Sequence, residues 1–215
     1  MKIIIVGAGI SGLSTYLFLK KHLPNPAAPA TPHEIKIYET YDSSKKLERQ
    51  LHSQNDFEQM TNTIAIGGGL GLGPNGLNVI KRLNEKLLTD IAQTGHCITT
   101  WKMSNSRGWN LQSVEVQSDD DPPMNSVMIA RQGLWHCIRQ YVPDEAIEQK
   151  KISKVNAGEG RAPVVSFADG TPDLECDLVL GCDGLRSVVR SGIFGEENFP
   201  PHYEQVMQYL DKEKS

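Results

Sequence analysis

The stretch "KIIIVGAGISGLSTYLFLKK", Lys2 to Lys21, joins a β-branched run to a glycine turn and then to a segment with helical spacing. Lys2 to Val6 reads as a short strand buried on both faces, and it stops at Gly7. From Ser11 to Leu23, residues Leu13, Tyr16, Leu17 and Leu19 recur at helical intervals until Pro24 ends the run. The junction "GAGISG", Gly7 to Gly12, has the pattern G-x-G-x-x-G. Gly7 permits the tight turn, Gly9 lets backbone approach a pyrophosphate, and Gly12 lets helix and strand pack closely. The helix start, with Ser11 in its first turn, offers unpaired N–H groups to the anion.

Working outward, "PNPAAPATPHE" holds four prolines in eleven residues and can only be a loop. "IKIYE" follows as a second strand ending at Glu39, whose carboxylate can accept hydrogen bonds from a ribose diol and disfavours a 2′-phosphate. Glu39 lies 27 residues after Gly12, more than the usual ~20, and the proline loop accounts for the excess. The bland alternative is a glycine turn without a ligand and a glutamate facing solvent. Strand, turn, helix and acid-tipped strand in this order favour a dinucleotide site.

Thr40 to Thr63 is polar and reads as an exposed excursion. "TIAIGGGLGLGPNGL" comes next. Its "GLGPNG", Gly71 to Gly76, repeats the glycine pattern, but Pro74 removes an N–H where a pyrophosphate needs donors. Gly67 to Gly76 is therefore expected to be a close-approach loop, with Gly68 and Gly69 running against something flat or bulky. A helix is predicted behind it from Ile80, Leu83, Leu87 and Ile91. Two β-prone runs about "NSRG", within Trp101 to Val116, predict a hairpin. "SVMIARQGLWHCIRQYV" joins a strand to a helix. "VVSF" and "DLVLG" read as strands, the second leading into "LVLGCDGLRSVVR", Leu178 to Arg190, a strand with a glycine turn and a basic helix start. The tail "HYEQVMQYLDKEKS" places Tyr203, Val206, Met207 and Leu210 on one helical face.

A chain of 215 residues can bury one sizeable core, so one compact unit is expected. Hydrophobic residues at 39%, charged residues at 22% and a net charge of −4 lack the basic excess that nucleic-acid binding needs. No apolar run reaches the ~20 residues of a membrane span. "MKIIIVGAG" leaves no room for an export signal ahead of the first strand, and Cys97, Cys137, Cys176 and Cys182 form no C-x-x-C pair. These features point to a reducing, cytoplasmic setting. The adjacent pairs His96-Cys97 and His136-Cys137 point apart on strand or helix, so no metal site is expected.

With these pieces in order, the sequence resembles the single-component (class A) FAD-dependent aromatic hydroxylases, the p-hydroxybenzoate hydroxylase fold, and within it the salicylate-hydroxylase-like branch. "IIIVGAGISGLSTYLFLKK" looks like the family's FAD fingerprint, "IYE" like its ribose-binding acid and "GGGLGLGPNGLNVIKRL" like its flavin-side loop and helix. "IARQGLWHCI" is similar to the segment whose arginine reaches FAD, which maps to Arg131. "LVLGCDGLRSVVR" looks like the second, DG-type motif shared by FAD and the nicotinamide donor, which maps to Asp183, Gly184 and Arg190. The later "GDAAH"-type motif and most of the substrate-binding half have no counterpart in the sequence.

The resemblance implies an α/β fold with a Rossmann-like, doubly wound FAD-binding sheet and a small antiparallel β element, truncated relative to the family. The expected organisation is an FAD-binding domain over 1–195, with a β-hairpin insert over 97–130, and a short tail over 196–215. The implied cofactors are FAD and NAD(P)H as electron donor. The implied reaction is hydroxylation or epoxidation of a small aromatic or polycyclic substrate, as in secondary metabolism. The cofactor-binding set is Gly7, Gly9, Ser11, Gly12, Glu39, Gly68, Gly69, Arg131, Asp183 and Gly184, with no catalytic residue nominated because the flavin carries the chemistry. A homo-oligomer or a complementing chain would supply what the sequence lacks. Two other readings stand beside this one: a catalytically incomplete FAD-binding module, and an NAD-dependent dehydrogenase resting on the first fingerprint alone.

Overall fold

Lys2 and the four β-branched residues after it form β1 (Lys2–Val6), and Ile3, Ile4 and Ile5 are wholly buried. This is the continuous apolar run that a strand covered on both faces requires. The computed structural model describes residues 1–26, 31–41, 68–115, 126–158 and 160–195. The predicted tail helix and nearly all of the polar excursion after Glu39 lie outside them. The chain divides into two compact units, one built from residues 1–16, 23–46 and 144–215 and the other from residues 17–22 and 47–143.

In the first unit, β1 pairs in parallel with β2 (Glu34–Glu39), as Ile3 opposite Ile35 and Ile5 opposite Ile37. Between them in sequence comes α1 (Ile10–His22), whose residues 10–16 belong to this unit, with Gly12, Leu13 and Tyr16 buried. On the other side of β1 lies β12 (Leu178–Gly181), also parallel, and β8 (Ile147–Gln149) pairs with β2 to complete the order β12-β1-β2-β8. An all-parallel sheet of this kind needs cover on both faces. One cover is a three-stranded antiparallel sheet of β9 (Ile152–Asn156), β10 (Val164–Phe167) and β11 (Leu174–Glu175), together with α5 (Val188–Phe194). Its Ile152, Val155, Val165 and Phe167 share a core with Ile4, Val6, Tyr38 and Val189.

The second unit holds the antiparallel sheet β3 (Gly69–Leu72), β7 (Val127–Ala130) and β4 (His96–Cys97) in the order β3-β7-β4. The glycine run expected to be a loop thus contains a strand. The ladder with β7 requires no side chains, only backbone groups in register, Gly69 opposite Ala130 and Leu72 opposite Val127. The helix expected behind it is two helices, α2 (Pro74–Leu83) and α3 (Glu85–Thr94). Asn84 breaks the run. It adopts φ −162°, ψ 118°, and its side chain accepts the N–H groups of Lys86 and Leu87 at 2.9 and 3.2 Å, capping α3. The apolar spacing survives the break because Leu83, Leu87 and Ile91 are all buried. The predicted hairpin is β5 (Thr100–Ser104) and β6 (Asn110–Glu115), closed by Asn105, whose side chain accepts from Arg107 and Trp109. The strand-to-helix segment after it becomes β7 and α4 (Arg131–Arg139).

Candidate functional site

Three glycines shape the turn between β1 and α1, for different reasons. Gly7 has φ +99°, and a Cβ there would lie 2.6 Å from the carbonyl oxygen of Cys182. A Cβ on Gly12 would lie 1.9 Å from the carbonyl oxygen of Gly7. Both positions must be glycine for the fold's own sake. Gly9 differs, because among the described residues nothing lies within 4 Å of where its Cβ would stand. An unhindered glycine beside two hindered ones leaves backbone open to a group from outside, as pyrophosphate binding demands.

Glu39, at the end of β2, faces the same turn. One carboxylate oxygen accepts the Ala8 N–H at 2.7 Å and the other the Tyr41 N–H at 3.0 Å. A carboxylate has about four acceptor positions, so a ribose diol could still be held. Ser11 is exposed in the first turn of α1, and its hydroxyl donates to Cys182 Sγ at 3.5 Å; Thr15 Oγ1 lies 3.8 Å from the same sulfur.

Cys182 follows directly on β12, and its N–H donates to the Val6 carbonyl at 2.8 Å, which carries the second motif onto the first. The next residue, Asp183, has a carboxylate already occupied by protein. Oδ1 accepts the Ser187 hydroxyl at 2.6 Å, and Oδ2 accepts the Val188 N–H at 2.7 Å and the Val189 N–H at 3.5 Å. Gly184 follows with φ +76°, a conformation that favours glycine. The Arg190 guanidinium donates to the Leu185 carbonyl, closing the turn.

The predicted set therefore falls into two groups. Gly7, Gly9, Ser11, Gly12, Glu39, Asp183 and Gly184 belong to the first unit. Gly68, Gly69 and Arg131 meet in the second, where the Arg131 N–H donates to the Gly68 carbonyl at 2.9 Å and the Arg131 side chain is exposed. A Cβ on Gly68 or Gly69 would meet nothing within 4 Å among the described residues, so this strand edge is also open to a bulky neighbour.

Sequence reasoning missed Cys182, Thr15 and Ser187. Ser187 had a signal, a serine immediately before the apolar start of α5. Cys182 had none, since its role depends on β12 pairing with β1. In the first unit, burial raises the phenol of Tyr38 to about 12, with Glu148 adding to the effect, and burial likewise raises the Tyr16 phenol and the Cys176 thiol. These shifts move the three groups further from titration at neutral pH. Among the described residues no group of His, Cys, Asp or Glu could hold a metal ion, and no helix is long and apolar enough to cross a membrane.

No family model matches the chain. The FAD-dependent monooxygenase sor5 of Hypocrea jecorina is 26% identical over 216 residues, covering 97% of this chain and 39% of that protein. The 3-amino-4-hydroxybenzoate 2-monooxygenase of Streptomyces cremeus is 28% identical over 64% of this chain and 35% of its own length. Among solved structures, HpxO of Klebsiella pneumoniae, complexed with FAD and uric acid, superposes with a TM-score of 0.61 at 20% identity, over 89% of this chain and 41% of the other. The chain thus spans about two fifths of the length of the proteins it matches. In sequence and in fold, the chain resembles the class A FAD-dependent monooxygenases.

Proposed function

We propose that the chain is the FAD-binding portion of a monooxygenase that takes electrons from NAD(P)H and inserts oxygen into a small aromatic or polycyclic substrate. The observation that carries this reading is the contrast at the first turn: packing forces glycine at 7 and 12, whereas among the described residues nothing would meet a Cβ at Gly9. The residues fit FAD. Gly9 and the α1 start would hold the pyrophosphate and Glu39 the ribose; the flavin-side role of Gly68, Gly69 and Arg131 rests on the sequence resemblance alone. Bound FAD would supply the redox chemistry, activating dioxygen so that one oxygen atom reaches the substrate. The chain's own part is to bind, orient and exclude water. Residues 1–195 would act as the cofactor domain.

The relatives' names support an aromatic substrate, since they include enzymes named for 3-amino-4-hydroxybenzoate and 6-hydroxynicotinate. A homo-oligomer or a complementing chain is the proposed macromolecular partner. A structure named as the tetrameric form of a related oxygenase supports association.

The deciding experiment is the visible spectrum of the purified chain after incubation with FAD and removal of the excess. A retained flavin band, followed by NAD(P)H oxidation stimulated by an aromatic compound, is the expected result. Retained flavin without stimulation would favour the catalytically incomplete module. A colourless protein that binds NAD at the Gly7 turn would favour the dehydrogenase. Gly9→Val should abolish FAD retention while leaving the melting temperature of the ligand-free chain unchanged, because the new side chain enters space that no described residue fills.

A further inference from the structure

We propose that Asp183 and Ser187 are positioning residues for the glycine turn, and that Asp183 serves the cofactor through its backbone rather than its carboxylate. The carboxylate accepts one hydroxyl and two backbone N–H groups, all at the start of α5. Ser187 is 8% exposed and is the one polar side chain among the buried described residues. Its hydroxyl gives its proton to Asp183 and accepts the Arg190 N–H at 3.0 Å. The two side chains form one interlocked cap, and neither leaves α5's first N–H groups to a ligand.

The cap matters to the glycine turn because of what lies behind Gly7. A Cβ on Gly7 would stand 2.9 Å from the carbonyl carbon of Cys182 and 3.1 Å from Cα of Asp183, so the backbone at 182–183 is the wall against which the turn rests. The helix that holds this wall is itself fixed. Gly192 of α5 runs so close to β9 that a Cβ would lie 2.3 Å from the Val155 carbonyl oxygen, and Val189 packs where a Cβ on Gly181 would be. A rigid path therefore runs from the β9–α5 packing through Ser187 and Asp183 to Gly7. Loosening the cap moves the wall first and the pyrophosphate cradle next.

The FAD half of this inference rests on the proposed function, and the test separates the two. FAD affinity is measured by flavin fluorescence titration of the full chain, and amide hydrogen exchange is measured without FAD, for the wild type and for Ser187→Ala, Ser187→Thr, Asp183→Ala and the double alanine variant. Ser187→Ala and Asp183→Ala should each weaken FAD binding about tenfold. The double variant should be no weaker than the weaker single, because both remove one cap. Ser187→Thr should restore binding. Exchange should rise over residues 7–13 and 184–190 and stay unchanged over β9 and β10. Wild-type affinity in Ser187→Ala with loss in Asp183→Ala would overturn the proposal and make Asp183 a direct ligand. Exchange that is unchanged, or raised uniformly, would also overturn it. If the wild type binds no FAD, the proposed function fails alone, and the exchange pattern still decides the positioning role. Should an alanine variant fail to fold, Asp183→Asn, which keeps one acceptor oxygen, is read by the same exchange with the same two outcomes.

Discussion

The parallel sheet around β1 and the hairpin β5–β6 both contain strands that carry large apolar side chains, yet they stand at opposite ends of burial. Ile3, Ile4 and Ile5 have no exposed surface, whereas every residue of β5 and β6 is exposed, including Trp101 at 54% and Met103 at 60%. The hairpin register places Trp101 opposite Val114 and Met103 opposite Gln112, so its alternation puts apolar side chains on one pleat face, and a bulge leaves Leu111 without an opposite residue. A two-stranded ribbon gains little stability by itself. The difference teaches that an apolar strand pattern reports how the strand is written, and that only the neighbours determine how much it stabilises.

The largest effect should follow from Gly12→Ala, which drives a methyl group onto the Gly7 carbonyl. Loss of cooperative thermal unfolding, or of soluble expression, is the expected result; a variant with wild-type melting would show that the turn can open and would break the contrast. Ile4→Ala leaves a cavity between the parallel sheet and its cover, and should cost about 2–5 kcal/mol in denaturant unfolding. Tyr141→Phe sharpens the account of the second unit. The phenol lies 2.5 Å from Asp90 Oδ2, and burial, helped by that hydrogen bond, raises it to about 12. A neutral acid whose folded pKa is raised stabilises the protein fully below the unfolded value near 10, and the contribution is lost as pH climbs toward 12. The variant should lose about 1 kcal/mol at pH 7 and show a shallower decline in stability between pH 10 and 12 than the wild type. Trp101→Thr combined with Met103→Thr should change stability by less than about 0.5 kcal/mol. A large loss there would mean that the hairpin's apolar face is covered in solution.

Much of the first unit was legible because its signals are local. The run Lys2–Val6, the glycine pattern and Glu39 follow one another, and each constrains its neighbour's conformation. Polar Asn84 marks the limit of such reading: the apolar spacing of Leu83, Leu87 and Ile91 runs through it, and the helix break appears only when its capping bonds are seen. The strand Gly69–Leu72 was hidden for the opposite reason, since a glycine run carries no side-chain period to read. The aspartate of the second motif was located, but its partner was not. That Asp183 binds Ser187 and the start of α5 depends on a turn whose geometry no spacing rule specifies.

The pairing of β1 with β12 also governs when the glycine turn can be completed. Lys2 donates its N–H to Asp177 at 2.6 Å, a contact spanning 175 residues of chain. Such long-range parallel pairing is slow to form, and at ribosomal speeds roughly ten to thirty-five seconds separate the synthesis of the two strands. Throughout that interval the fingerprint turn lacks the backbone wall behind Gly7, while the β-branched run beside it has an open edge. The glycine turn, translated well before β12, is thus among the last parts of the sheet to gain its full support, and a chaperone that shields Ile3 to Val6 during synthesis should raise the yield of folded protein.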